Sequence, residues 1–221
     1  MSFDKDRAVN FTNAFLHRWA TQLKDISERA SAVFEVFCSM LVILALERNG
    51  FKIQAQNLRN GLFIAKRSVW GDPNIFSFFI AERSTEIYEV RQNQFVKGCH
   101  QGFYVINEDI VIMEQHSLRG TTVPHDKVIA FVSCKHLSCF PTIIADFIGE
   151  VHELQHFRLL SGPPHQLPPA LLLTSGAITR GGRDLMNSLQ RLRGYNIRIF
   201  GSFTPSQSNH SIRQFLATWQ I

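Results

Sequence analysis

The chain has little that would staple it together or hold it in a membrane. Its four cysteines, Cys38, Cys99, Cys134 and Cys139, follow no framework spacing, which argues against a disulfide scaffold. The opening MSFDKDRAVNF is too charged to read as the apolar stretch of a signal peptide. The longest apolar run, Phe37 to Leu46, is about half of what spans a bilayer. Reduced thiols, a cytoplasmic location and no membrane partner are therefore expected. Acid is scarce towards the C-terminus, where no Glu follows Glu153. From Ala170 onward Asp184 stands alone against Arg180, Arg183, Arg191, Arg193, Arg198 and Arg213, and six minus one equals the whole net charge of +5. Such a quarter suits a phosphate-binding face, and a solvated basic surface is the plainer alternative.

What is present is an ordinary globular balance, 45% hydrophobic and 19% charged over 221 residues. A chain of this size buries roughly 70% of its unfolded surface without disulfides or metal. Apolar spacing predicts a helix over residues 5–25 and a buried one from Glu28 to Arg48, stopped by Asn49-Gly50. Strand-like segments follow at Phe51–Ala55, Leu62–Lys66, Phe76–Ala81, Ile87–Val90, Tyr104–Met113 and Val128–Ser133. A helix over Pro141–Leu160, a loop SGPPHQLPP, a strand at Ala170–Thr174, a helix at Arg183–Arg193 and a strand at Asn196–Phe200 complete the series. The order predicts an α/β fold with a central mixed sheet flanked by helices.

Three central positions carry the chemistry. Asp109 opens the apolar run Asp-Ile-Val-Ile-Met, and a carboxylate on such a strand needs a counter-ion, for which a divalent cation is suited. Lys135 ends the next apolar strand, and strand alternation puts Ser133 on the same face. Glu150 lies on the following helix. At about 100° per residue, the apolar side chains of that helix fall between about 20° and 160° from Glu150, which puts it at the edge of the core-facing arc. Two carboxylates, a lysine and a hydroxyl can thus converge. That set suits phosphodiester hydrolysis, with Asp109 and Glu150 binding Mg²⁺ and Lys135 orienting water or countering phosphate charge.

The order Glu35 on a buried helix, Asp109 on a strand, a lysine closing the next strand, then helix, strand and helix resembles the PD-(D/E)xK nuclease superfamily over roughly residues 28–201. Where that family has Asp or Glu, this chain has Ser133, and Glu108 stands where proline often precedes the aspartate. Ser133-Cys134-Lys135 with Glu150 is similar to a restriction-enzyme subgroup whose missing carboxylate comes from the next helix. The resemblance implies a restriction-endonuclease-like domain over 28–221, an N-terminal helical extension over 1–27, and a Mg²⁺-dependent (Mn²⁺-tolerant) endodeoxyribonuclease. It also implies Asp109 and Glu150 as metal ligands, with Glu35 assisting, and Lys135 as the catalytic lysine with Ser133 accessory to it. DNA contacts would come from Arg180, Arg183, Arg191 and Arg193. Homodimerisation, a restriction or antiviral defence role and no small-molecule cofactor complete the expectation. An inactive nuclease-like binding domain is the first alternative.

His152-Glu153-Leu154-Gln155-His156 is a literal HExxH, the zinc-peptidase signature. On the same helical wheel these side chains oppose the apolar arc, and His165, Asp184 and His210 stand at no familiar third-ligand spacing. A solvated helix face is the better reading. Trp70, Tyr195 and Trp219 are candidates for stacking on bases, with packing as their default role.

Overall fold

The computed structural model describes residues 3–24, 29–68, 70–99, 105–161, 170–193, 195–205 and 209–221; over 105–106, 155–161 and 191–193 it describes the backbone alone. One eight-stranded mixed sheet organises the chain. Its strands are β2 (Lys52–Gln56), β4 (Phe78–Arg83), β5 (Glu86–Lys97), β6 (Val105–Glu114), β7 (Thr122–Pro124), β8 (Val128–Lys135), β9 (Ala170–Thr174) and β10 (Ile197–Phe200). The order across the sheet is β10-β9-β8-β6-β5-β4-β2, with β7 pairing β5. From β2 through β8 neighbours along this path are antiparallel, and β8, β9 and β10 are parallel. A two-residue β1 (Gln22–Leu23) pairs β3 (Leu62–Phe63) apart from it. The α/β class and the mixed sheet agree with the sequence.

The α2 helix (Ala30–Arg48) has neither proline nor glycine and is buried almost all round. Its length and composition would also suit a membrane span. Here that apolarity is spent inside the fold, because Phe34, Phe37, Met40 and Leu41 meet Ile110, Ile112, Ala130 and Val132 of the sheet. Each such side chain, fully buried, contributes about 1.5–3 kcal/mol. The α1 helix (Lys5–Leu16) adds Ala8, Val9, Phe15 and Leu16 to this same core, as α5 (His210–Thr218) adds Phe215 and Leu216. On the opposite face α3 (Pro141–Ser161) and α4 (Arg180–Arg193) pack on a second core through Ile144, Phe147, Val151, Leu185 and Met186.

Several boundaries differ from expectation. The first helix ends at Leu16 and tightens into a 3₁₀ turn over His17–Trp19, where Ala20 is left-handed. The 62–66 strand closes after Phe63. The short Ile87–Val90 strand runs instead from Glu86 to Lys97, because the polar run Arg91-Gln-Asn-Gln94 is buried and its side chains find partners inside the protein. The fourth helix begins at Arg180 rather than Arg183. Neither β7 nor α5 is marked by a long periodic pattern, and packing decides both.

Candidate active site

The site forms where two central strands separate. Pairing of β6 with β8 stops at Ile110 and Val132, after which β8 continues beside β9 as far as Lys135 and Thr174. The backbone N–H of Cys134 therefore has no antiparallel carbonyl to meet, and it donates to Asp109 Oδ2 at 2.6 Å. Asp109 sits midway along β6, not at its start. Beyond Lys135 the chain is fastened to the turn after β9, since Ser175 N donates to Lys135 O and Gly176 N to Leu137 O, each at 3.1 Å. Gly176 is required there, because a Cβ would come within 2.7 Å of Ser138 N. Lys135 is thus a fixed point.

A second irregularity lies opposite Asp109. On β5, Gln92 pairs Ile110 and Gln94 pairs Glu108, so Asn93 faces Asp109 across the ladder. Asn93 has φ +46° in mid-strand. Strict alternation would put Val90 and Val96 on one face, yet Val90 belongs to the α2 core and Val96 to the other. The strand therefore changes face at this residue. The Asn93 carboxamide donates to Glu35 Oε2 at 3.2 Å and to Lys66 O at 2.9 Å, while the Asn93 backbone carbonyl accepts from Lys66 Nζ at 2.5 Å. Neither Asn93 nor Lys66 was signalled by any sequence motif.

Helices from both faces deliver carboxylates to this gap. Glu35 comes from α2, and burial, then the charge of Asp109, pushes its pKa up to about 7 against the help of Asn93 and Lys135. Glu150 comes from α3, where burial also raises its carboxyl while Lys135 and a hydrogen bond from Ser133 pull it down. Asp109 is raised by burial and relieved by Lys135 and by the Cys134 N–H. Burial works against the Lys135 ammonium, but Asp109 and Glu150, joined by Cys134 and Glu108, outweigh it and hold its pKa above the ordinary lysine value.

Asp109, Lys135, Glu150, Ser133 and Glu35 are thus gathered within one electrostatic neighbourhood. Sequence reasoning noted Glu108 only as a departure from a pattern. It is 1% exposed, and burial together with Glu150 and Asp109 drives its carboxyl well above the usual range. Both of its oxygens, and Oε2 of Glu150, lack a hydrogen-bond partner among the described residues. Its signal was an adjacent acid pair inside an apolar strand.

Crowded carboxyls with orphaned oxygens and a single lysine fit a hard divalent cation. Among the described residues, however, no three His, Cys, Asp or Glu side chains are already closed around an ion position. Arg180 and Arg183 are exposed at the start of α4. Arg183 donates to Ile178 O at 2.7 Å, and neither arginine is among the charges acting on these carboxyls. The side chains of Arg191 and Arg193 lie outside the described residues.

Of the HExxH pair, His152 is exposed, is a hydrogen-bond partner of the Tyr195 hydroxyl and stacks on that ring with centroids 5.4 Å apart. The His156 side chain and His165 lie outside the described residues. Trp219 is buried on Phe215, whereas Trp70 is 76% exposed and rests edge-on against Phe95 at 6.0 Å. In sequence comparison, no protein-family model matches the chain and no curated protein is significantly similar to it.

Proposed function

We propose that the chain is a Mg²⁺-dependent endodeoxyribonuclease of the PD-(D/E)xK, restriction-endonuclease-like type. The observation that carries this reading is the setting of Lys135, a partly buried ammonium among Asp109, Glu150 and Glu108 at the mouth of a splayed strand pair. Asp109 and Glu150 would hold the ion, with Glu35 approaching from the α2 side. When bound, Mg²⁺ lowers the pKa of a water and offsets the charge of the scissile phosphate.

The protein's own groups do the rest. Lys135 orients the attacking water and stabilises charge gathering on the phosphate. Ser133 fixes the rotamer of Glu150 by donating to its carboxylate. Burial and the neighbouring Glu150 and Asp109 disfavour the charged form of Glu108, which limits the negative charge of the cluster. The Cys134 N–H holds Asp109 in place by a charge-assisted bond. The basic α4 segment would take DNA phosphates, and pairing of two copies would allow both strands to be cut.

The test is plasmid nicking with Mg²⁺, Mn²⁺ or EDTA by the wild type and by Lys135→Ala, Glu150→Gln and Glu153→Gln. Metal-dependent nicking lost with Lys135 and Glu150 but retained with Glu153 is the expected result. Salt-sensitive DNA binding with no hydrolysis in any metal would replace the enzyme with a non-cleaving binding domain. Activity sensitive to Glu153 alone would move the chemistry to the HExxH helix.

A further inference from the structure

The second face of the sheet is covered unevenly. The core beneath α3 and α4 draws on β6, β8, β9 and β10 but takes only Val96 from β5, with no residue of β2 or β4. The part built by β2, β4 and the first half of β5 instead forms an open depression of about 490 Å³. Its floor is rigid. The Arg91 guanidinium lies 3.8 Å from the centroid of the Phe78 ring, donates to Glu89 Oε2 at 2.6 Å and to Pro73 O at 3.3 Å, and its side chain is 9% exposed. The other Glu89 oxygen accepts the His116 N–H at 3.0 Å, so the pair is pinned from both sides.

Around this floor stand four carboxamides, those of Gln56, Asn57, Asn74 and Gln115. Asn57 is itself anchored, donating to Asn74 O at 2.7 Å and Phe76 O at 2.9 Å from a left-handed backbone. Carboxamides pair a donor with an acceptor, as base edges do. A planar guanidinium laid on a ring is a surface on which a base stacks. The charge of Arg91 is already balanced by Glu89, so the depression is poorly suited to a bare phosphate. Its volume falls within the usual range for a small planar ligand.

Its place in the fold ties it to the acidic cluster. Arg91 precedes Asn93 by two residues, about 7 Å along the strand, and its charge helps depress Lys66, whose pKa falls to about 8 chiefly through burial. Lys66 in turn donates to Asn93 O, and Asn93 holds Glu35. Lys135 closes β8, two strand spacings or about 10 Å across the sheet from β5, a span of more than one nucleotide of an extended strand.

We propose that this depression is a nucleobase subsite, in which one unpaired base of a DNA strand is held so that a phosphodiester further along the same strand reaches Asp109 and Lys135. The inference rests on the nuclease reading and narrows its substrate to DNA with an unpaired nucleotide near the cut, in a single strand or in a duplex opened locally, as in a supercoiled plasmid. A base still paired in a duplex cannot enter.

The experiment measures binding in EDTA, so that no cleavage is needed, by anisotropy of labelled 12-nucleotide probes. The probes are a mixed-sequence single strand, its duplex and an all-abasic strand of equal length. The variant is Asn74→Ala with Gln115→Ala, rim positions whose side chains carry no hydrogen bond within the described fold. Single-strand affinity is expected to fall on the order of tenfold or more in the variant, while duplex and abasic binding stay put. The wild type is expected to bind the base-bearing strand more tightly than the abasic one by a similar factor. Equal affinity for base-bearing and abasic strands, or equal weakening of single strand and duplex in the variant, overturns the subsite. Loss of the nuclease reading, seen as cleavage indifferent to Lys135→Ala, would leave this binding result standing by itself.

Discussion

Asp109 Oδ2 receives the backbone N–H of Cys134 at 2.6 Å, at the level where β6 and β8 cease to pair. The carboxylate takes the place of a ladder carbonyl, so one residue both closes the sheet end and faces the site. Asparagine retains an oxygen for that bond but not the charge. Asp109→Asn should therefore keep the fold, with a melting midpoint within a few degrees of wild type, and lose metal-dependent cleavage by about 100-fold or more. Calorimetric scans with and without Mg²⁺ check it further. A divalent ion at 100 times its dissociation constant adds about 2.7 kcal/mol to the wild type, and that increment should vanish in Asp109→Asn.

Glu108 is buried against Glu150 and Asp109 without a hydrogen-bond partner among the described residues. Burial and the charges of Glu150 and Asp109 raise its carboxyl well above the usual range, so the folded state holds this proton more tightly than the unfolded chain and ionising it opposes folding as pH rises. A neutral glutamine avoids this. Glu108→Gln should be nearly neutral for stability at pH 5 and clearly stabilising at pH 9 in urea titrations. Equal effects at both pH values would mean that Glu108 does not titrate as its surroundings require.

Glu35 carries the same sign with a defined window. Its pKa rises from 4.5 to about 7 on folding, so between these values the folded protein binds more protons than the unfolded chain. The stabilisation is fully present below pH 4.5 and is lost as pH climbs through 7. Linkage, discounted for partial exposure, puts the loss at about 2 kcal/mol. Unfolding free energy measured from pH 4.5 to 7.5 should slope downward in wild type and less steeply in Glu35→Gln.

Asn93 tests the strand reversal apart from the chemistry. An alanine at φ +46° should cost about 1–2 kcal/mol of stability, whereas glycine tolerates the backbone. Asn93→Gly should thus stay closer to wild type in urea titration while losing the hold on Glu35. Metal affinity lowered by roughly 10- to 100-fold in Asn93→Gly is the expected signature of a positioning role.

Much of the frame is written locally. The unbroken apolar stretch of α2, the proline opening α3 and the all-buried Ala170–Thr174 strand each encode an element through periodicity or composition. Asp109 and Lys135 were legible because a charge bounding an apolar strand demands a partner, and Glu150 because its helical phase lies beside the core arc. Such signals need only a few neighbouring residues.

What the sequence could not decide is set by contacts between distant segments. Arg91-Gln-Asn-Gln94 looks like a loop until Ser39, Thr121, Lys66 and Glu89 are seen to accept its side-chain N–H groups inside the sheet. Glu108 reads only as a departure from a family pattern until the fold buries it beside Glu150 and Asp109. The HExxH spacing is real in one dimension, yet His152 points out to stack on Tyr195. Sequence alone thus determined an α/β chain carrying an acidic–lysine set. Only tertiary structure decided which carboxyls share the gap between β6 and β8, because burial and charge coupling depend on distances in space, which spacing along the chain does not fix.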